Sequence, residues 1–286
     1  MMKAPASRTV EATVNYVVAI DEPLYTYRMV DPPEGKPASN EMLDSRPVTI
    51  SSIRDVGQAP HLDVHGFELV RFSPVVDDIY DPEEMEARYY PQVVDLVKRH
   101  TGASEVRVFI PFLRGEEAQR RMPGAITNPA GTVHVDYTEE SGPGYFDRML
   151  GPDAERLRGR RFALINVWRP ITGPLQDHPL ALCDARTVSP ADLMVARTVS
   201  RSGDKGLRTP DGEISVGEIY SVAFNPSHQW RYAPDMMPDE ALLLKNYDSR
   251  LDGVSRFSPH CAFADPTMPT NALPRASIEV RTLAVW

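Results

Sequence analysis

Cysteine is almost missing from this chain: Cys183 and Cys261 are the only two in 286 residues. So few rule out a disulfide framework and fit a reducing compartment, so both are expected as free thiols of a cytoplasmic protein. Long apolar runs are missing too. Nowhere do about 18 apolar residues follow one another, the length a membrane span needs, and Met1-Met2-Lys3-Ala4-Pro5 opens no apolar stretch that would read as a signal peptide. A basic excess is also absent. With 31 Lys and Arg against 40 Asp and Glu, the net charge of −9 argues against nucleic acid or an anionic membrane as partner. The one basic knot, Arg156, Arg158, Arg160 and Arg161, reads as a solvated helix end. There is no G-x-S-x-G, no P-loop, no G-x-G-x-x-G and no C-x-x-C, which removes the usual nucleophile, phosphate, dinucleotide and dithiol frameworks.

What is present is a strand-rich chain. A hydrophobic share of 42% and a charged share of 25% are those of a globular protein able to bury a large core. The 27 prolines are spread out, which suits many short strands joined by turns. Strands are expected over 9–20, 48–53, 67–72, 106–112, around His134, and over 162–168, 180–183, 193–199, 218–224, 229–232, 242–247 and 278–285. One strong helix is expected after Asp81-Pro82, an N-cap and first-turn pair. Met85, Tyr89, Val93, Leu96 and Val97 recur at helical spacing, Gly102 can close the end, and Pro91 should kink or divide it. A second helical stretch, 145–157, should break at Gly151-Pro152. No repeat and no long linker divides the chain. The expectation is one mainly β domain over 1–286, a two-sheet barrel or jelly roll over 105–286 with an N-terminal helical and strand elaboration over 1–104.

The chemistry concentrates in Gly131-Thr132-Val133-His134-Val135-Asp136-Tyr137-Thr138. Side chains alternate along a strand, so His134 and Asp136 share a face. Two such ligands need a third, and two histidines with one carboxylate make the facial triad of non-heme Fe(II) oxygenases. The seven histidines are His61, His65, His100, His134, His178, His228 and His260. His100 reads as a helix-end residue and His178 as part of a turn. His228 opens the expected strand 229–232, 94 residues past His134, with room for strands that bring the chain back. It is taken as the third ligand. His61-Leu62-Asp63-Val64-His65 also contains His-x-Asp. As strand residues its three polar side chains would spread over about 13 Å, too far for one ion, and it reads as a polar strand face.

Oxygenases of this geometry commonly hold 2-oxoglutarate, whose far carboxylate needs a buried cation. If 229–232 and 242–247 form a hairpin centred on the 234–239 turn, Lys245 lies opposite His228. The competing arrangement puts Leu242 and Leu244 inward and the lysine outward. Arg281 and Arg169 are the other strand-embedded cations, each able to hold a carboxylate bidentately.

In order, the chain carries His134-Val-Asp136-Tyr-Thr138, Asn166-Val-Trp-Arg-Pro170, Pro179-Leu-Ala-Leu-Cys-Asp184 and Gly217-Glu-Ile-Tyr-Ser-Val222. His228 with Pro234-Asp-Met-Met-Pro-Asp-Glu240, Lys245-Asn-Tyr-Asp248, Pro259-His260 and Ser277-Ile-Glu-Val-Arg281 follow. From about Val48 onward this series resembles the non-heme Fe(II)/2-oxoglutarate-dependent hydroxylase/desaturase family, gibberellin desaturase-related, AsaB-like and CmcJ-like. The resemblance implies a double-stranded β-helix, Fe(II), 2-oxoglutarate and O2, and oxidation of an unactivated C–H of a small secondary-metabolite substrate by hydroxylation, desaturation or cyclisation. It implies metal roles for His134, Asp136 and His228. One departure is visible: some relatives place an arginine about ten residues past the last ligand, and position 238 is Pro. The alternatives are a non-heme iron oxidase that does not use 2-oxoglutarate, and a metal-stabilised jelly-roll binding protein. A homodimer or a partner enzyme of the same pathway is left open.

Overall fold

The computed structural model describes residues 8–28, 30–55, 57, 59–122, 128–201 and 214–286; the opening Met1–Pro5 stretch lies outside them. The strands run β1 (Thr9–Val17), β2 (Leu24–Arg28), β3 (Leu43–Ser52), β4 (Phe67–Arg71), β5 (Glu105–Arg114), β6 (His134–Val135) and β7 (Phe162–Pro170). They continue as β8 (Leu180–Cys183), β9 (Leu193–Arg201), β10 (Ile214–Val222), β11 (Trp230–Tyr232), β12 (Glu240–Asp248), β13 (His260–Ala262) and β14 (Ser277–Val285). Nine of them form one sheet, in the order β1-β3-β11-β8-β13-β6-β10-β9-β2, and five form another, β4-β12-β7-β14-β5. The five-stranded sheet is antiparallel throughout. Of the strands before residue 105, β1, β2 and β3 extend the large sheet and β4 edges the small one.

The small sheet is buried on both faces, and alternation sorts its residues. On β7, Ala163, Ile165 and Val167 face the helical side. Phe162 and Leu164 belong to an aromatic cluster on the opposite face, and Trp168 meets Leu180 and Leu182 of the large sheet. Asn166 therefore points between the sheets. The helical cover of the first face is α1 (Leu62–His65), α2 (Pro82–Glu84), α3 (Tyr90–Thr101) and α4 (Glu116–Arg121), whereas α5 (Ser141–Leu150) and α6 (Ala154–Leu157) pack with Phe162 and Leu164. Asp81 caps α2, its side chain accepting from the Glu83 N–H at 2.9 Å. A π-helical turn over Met85–Tyr89 joins α2 to α3. Pro91 has no N–H to donate and its ring crowds the preceding turn, and a widened turn accommodates both. Met85, Tyr89, Val93, Leu96 and Val97 are all buried against the small sheet. Each such side chain contributes about 1.5–3 kcal/mol of transfer free energy. Gly102, at φ 72°, ends the helix with its N–H on the Lys98 carbonyl.

Three expectations are corrected here. His61 to His65 is a helical turn and not a strand: His61 accepts the Asp63 N–H at 3.2 Å and Gly66, at φ 87°, closes the turn. β2 and β13 add to the expected strands. β11 and β12 do not form a hairpin either. β11 lies between β3 and β8 in the large sheet, whereas β12 lies between β4 and β7 in the small one. The connection at 234–239 crosses from sheet to sheet, so folding the chain about its centre says nothing about which residues face each other.

Lys245 follows from that. Leu242 and Leu244 take the inner face, with Trp168. A β-bulge between Lys245 and Tyr247 then turns both Asn246 and Tyr247 inward. Lys245 is buried on the other side, paired with Asp63 and, at 2.9 Å, with Asp248. Arg161 joins the same two carboxylates at 3.0 and 2.6 Å. Two cations and two anions balance, and the cluster fastens α1 to β12. Lys245→Ala leaves Asp248 buried with half its compensation, so it should lower the unfolding free energy by about 3–5 kcal/mol, read by urea denaturation of the folded variant.

Candidate active site

His134 on β6 and His260 on β13 are direct cross-strand partners. Their rings are 4.5 Å apart, centroid to centroid. Each imidazole places Nδ1 on a carbonyl two residues earlier: His134 on Thr132 at 2.8 Å, His260 on Ser258 at 2.9 Å. That bond fixes the tautomer with Nδ1–H donating and leaves Nε2 as a free lone pair, the form in which histidine ligates a metal. Asp136, two residues along from His134, brings Oδ1 within 3.9 Å of its Nε2.

The opposite sheet holds that carboxylate. Asn166 of β7 donates Nδ2 to Oδ2 at 2.6 Å and Arg281 of β14 donates Nη2 to Oδ1 at 2.6 Å. Asn246 of β12 accepts the Asp136 N–H at 3.3 Å. Arg281 also donates Nε to Glu279 at 3.1 Å. Donor atoms of Asp136, His260 and Glu279 all lie within 4.8 Å of one another. Around them Tyr137 Oη, Asn166 Oδ1 and Asn246 Nδ2 are buried without a protein hydrogen-bond partner. Two neutral imidazoles, carboxylates and surrounding polar atoms are a donor set that fits a divalent first-row metal with oxygen ligands besides the protein's own.

The electrostatics agree. Burial pushes the His134 imidazole down, with His260 adding to it, to a pKa of about 4, and burial lowers His260 as well. Both rings are therefore neutral at neutral pH. Burial alone would raise the Asp136 carboxyl, but Arg281, His134, His260 and the Asn166 hydrogen bond outweigh it and hold the group well below the usual carboxylate range.

Of the residues expected in the site, His134, Asp136 and Arg281 come together and three do not. His228 has both nitrogens engaged elsewhere, Nδ1 with the Tyr16 hydroxyl at 3.2 Å and Nε2 with Asp192 at 3.1 Å. It ties β1 to the 190–192 turn outside the space between the sheets, away from His134 and Asp136, and the imidazole that does lie beside those two is His260. Lys245 is neutralised on the far face, as described above. Arg169 also faces the helices, donating to the Tyr89 hydroxyl at 2.9 Å and to the Pro238 carbonyl at 3.0 Å. Sequence reasoning passed over His260 because β13 is only three residues long. It also passed over Arg275, whose guanidinium is buried on the Trp168 ring, 5.0 Å from its centroid. Arg275 donates to Ser277 Oγ at 3.2 Å and to the His178 carbonyl at 2.6 Å. It lies 15 residues past His260, whereas counting from His228 leads to Pro238.

Comparison with known proteins bears on the same arrangement. A family model described as an oxidoreductase/YMDC permease-like domain matches residues 14–285. The chain is 35% identical to the hydroxylase/desaturase efuI of Hormonema carpetanum, over 100% of its own length and 98% of the relative's. It is 34% identical to the Fe(II)/2-oxoglutarate-dependent dioxygenase nvfI of Aspergillus novofumigatus, over 90% and 89% of the two chains. This chain belongs to the Fe(II)/2-oxoglutarate-dependent hydroxylase/desaturase family. The solved structure of the iron and alpha-ketoglutarate-dependent endoperoxidase NvfI matches with a TM-score of 0.83 at 32% identity, covering 97% of this chain and 98% of that one. The two facing sheets are accordingly the double-stranded β-helix of an oxygenase of this family, and the binding-protein alternative is set aside.

The buried imidazoles make a pH prediction for the metal-free protein. His134 titrates near 4 in the folded state against 6.5 for an ordinary histidine. Between those values the unfolded chain holds a proton that the folded chain does not, so stability rises with pH across the window and is lost as pH falls toward 4. The lowered His260 and His228 act in the same direction, and Asp136, held below the ordinary 3.8 in the folded state, adds to it at the acid end. The urea midpoint should drop between pH 7 and pH 4.5, and less steeply in His134→Asn. Equal slopes for the two proteins would contradict this account.

Proposed function

We propose that the whole chain, as one oxygenase unit, uses Fe(II), 2-oxoglutarate and O2 to oxidise an unactivated C–H of a small-molecule substrate, with His134, Asp136 and His260 as the metal ligands. The observation that carries the ligand set is the pairing of His134 with His260 across β6 and β13, both with Nε2 unengaged and with Asp136 beside them. The family's hydroxylase/desaturase and endoperoxidase members support the oxidative reading, and hydroxylation, desaturation and cyclisation are all chemistries it accommodates. The two buried free thiols are in keeping with a cytoplasmic site of action.

The bound metal and cosubstrate supply the O2-dependent oxidation, with 2-oxoglutarate ending as succinate and CO2. The chain's own part is positional and electrostatic. Thr132 and Ser258 carbonyls orient the two imidazoles, and Asn166 and Arg281 fix the Asp136 carboxylate. Trp168, Leu180, Leu182, Leu242 and Leu244 keep the space beside them apolar and exclude water.

We assign the far carboxylate of 2-oxoglutarate to Arg275. Among the described residues, Lys245, Arg161 and Arg281 each have carboxylate partners, whereas no carboxylate lies within ion-pairing distance of the Arg275 guanidinium. Its pKa is pushed down to about 10 by burial and by the neighbouring Arg114. An anion delivered to it relieves that cost.

The test is anaerobic Fe(II) binding followed by succinate release in air. His134→Ala, Asp136→Ala and His260→Ala should lose iron and all activity, while His228→Ala keeps iron. Arg275→Ala should keep iron and raise the 2-oxoglutarate requirement by roughly two to four orders of magnitude, the equivalent of about 3–5 kcal/mol for one side of a buried ion pair. Iron retained in His260→Ala and lost in His228→Ala would restore the other ligand set.

A further inference from the structure

The donor cluster contains one carboxylate more than a facial triad uses. Glu279 sits on the same face of β14 as Arg281, and its oxygen reaches within 4.8 Å of donor atoms on both Asp136 and His260. Glu279 is largely buried, with its side chain 16% exposed. Only one of its oxygens is engaged among the described residues, Oε1 with Arg281 Nε at 3.1 Å; Oε2 makes no hydrogen bond. Two carboxylates this close repel each other, and the Arg281 guanidinium, with one nitrogen on each, lets them coexist.

Resting on the ligand set proposed above, we infer that Glu279 is a displaceable fourth ligand. It occupies the metal while 2-oxoglutarate is absent and yields its position when the cosubstrate arrives. Three protein ligands on a six-coordinate metal leave three positions, two for a chelating 2-oxo acid and one for O2. A fourth protein ligand is incompatible with all of these together, yet the chain places a carboxylate within 4.8 Å of donor atoms on two of the three, Asp136 and His260. Arg281 supplies the place to which the released carboxylate returns, since its Nε already holds Oε1. Without cosubstrate, Glu279 adds a negative charge to the dication and takes up a position that O2 would otherwise share. Metal and cosubstrate binding are thereby coupled through one side chain.

Such coupling is reciprocal and can be measured without turnover. Co(II), added anaerobically to the metal-free protein, serves as the probe, with affinity read by calorimetry and coordination by visible absorption. Glu279→Gln should bind Co(II) about 10- to 100-fold more weakly in the absence of 2-oxoglutarate, a loss typical of disturbing a metal site. The Co(II)-loaded variant should bind 2-oxoglutarate more tightly than the wild type by a similar factor. The visible bands of the Co(II) protein without 2-oxoglutarate should differ between wild type and variant. Glu279→Asp keeps the charge and shortens the reach by one methylene, so it should behave as Glu279→Gln does. If Glu279→Asp matches the wild type while Glu279→Gln does not, the residue acts by charge alone and the inference is overturned. Unchanged Co(II) affinity in Glu279→Gln overturns it too. Failure of the underlying ligand set shows separately, as wild-type Co(II) binding by Asp136→Ala and His260→Ala.

Discussion

The site depends on one clamp, in which three strands of one sheet hold a single aspartate that belongs to the other, two by its carboxylate and one by its main-chain N–H. Asp136 follows β6 in the large sheet, and Asn166, Asn246 and Arg281 reach it from β7, β12 and β14 of the small sheet. A buried carboxylate without such partners would be protonated, and a protonated acid is a poor ligand for a divalent metal. The same hydrogen bonds stitch the sheets together where no apolar side chain could. Stability of the barrel and readiness of the site are thus two readings of one set of contacts.

Much of this was legible in the chain before any coordinates. Period-2 alternation placed His134 and Asp136 on one face, and the helical spacing from Met85 to Val97 marked the buried stripe of the helix that covers the small sheet. The second imidazole beside them, His260, was not legible in that way. β13 is three residues long, too short for a periodic signal, and its existence depends on pairing with β6 and β8, partners far away in sequence. His228 had the stronger local signal, next to a recognisable strand. Its nitrogens are spent on Tyr16 and Asp192, which only the folded chain brings near.

Lys245 misleads for a related reason. A cation in an apolar strand suggests a waiting carboxylate ligand, but it equally describes a cation already paired inside the protein. Lys245 is of the second kind, its partners coming from a helical turn at Asp63 and from Asp248 three residues on. Arg275 stands in a loop ahead of β14, where no periodicity draws attention to it, and lacks any such partner among the described residues. Position within a strand is a weaker guide than the balance of charge around the group, and that balance exists only in three dimensions.

The bulge in β12 has a consequence for how this chain can change over time. Because one extra residue lets Asn246 and Tyr247 both face inward, the strand reads in opposite phase on its two sides. Upstream of it lie Leu242 and Leu244 on the inner face, and downstream lies Asp248 on the outer one. A single-residue deletion at the bulge would restore plain alternation and leave Asp248 beside its cations, but it would cost the interior either Asn246 or Tyr247; a deletion elsewhere in the strand would turn the residues on one side of it to the wrong face. Substitutions can accumulate along β12 one at a time, but its length is locked: insertions and deletions in descendants of this sequence are confined to the loops on either side.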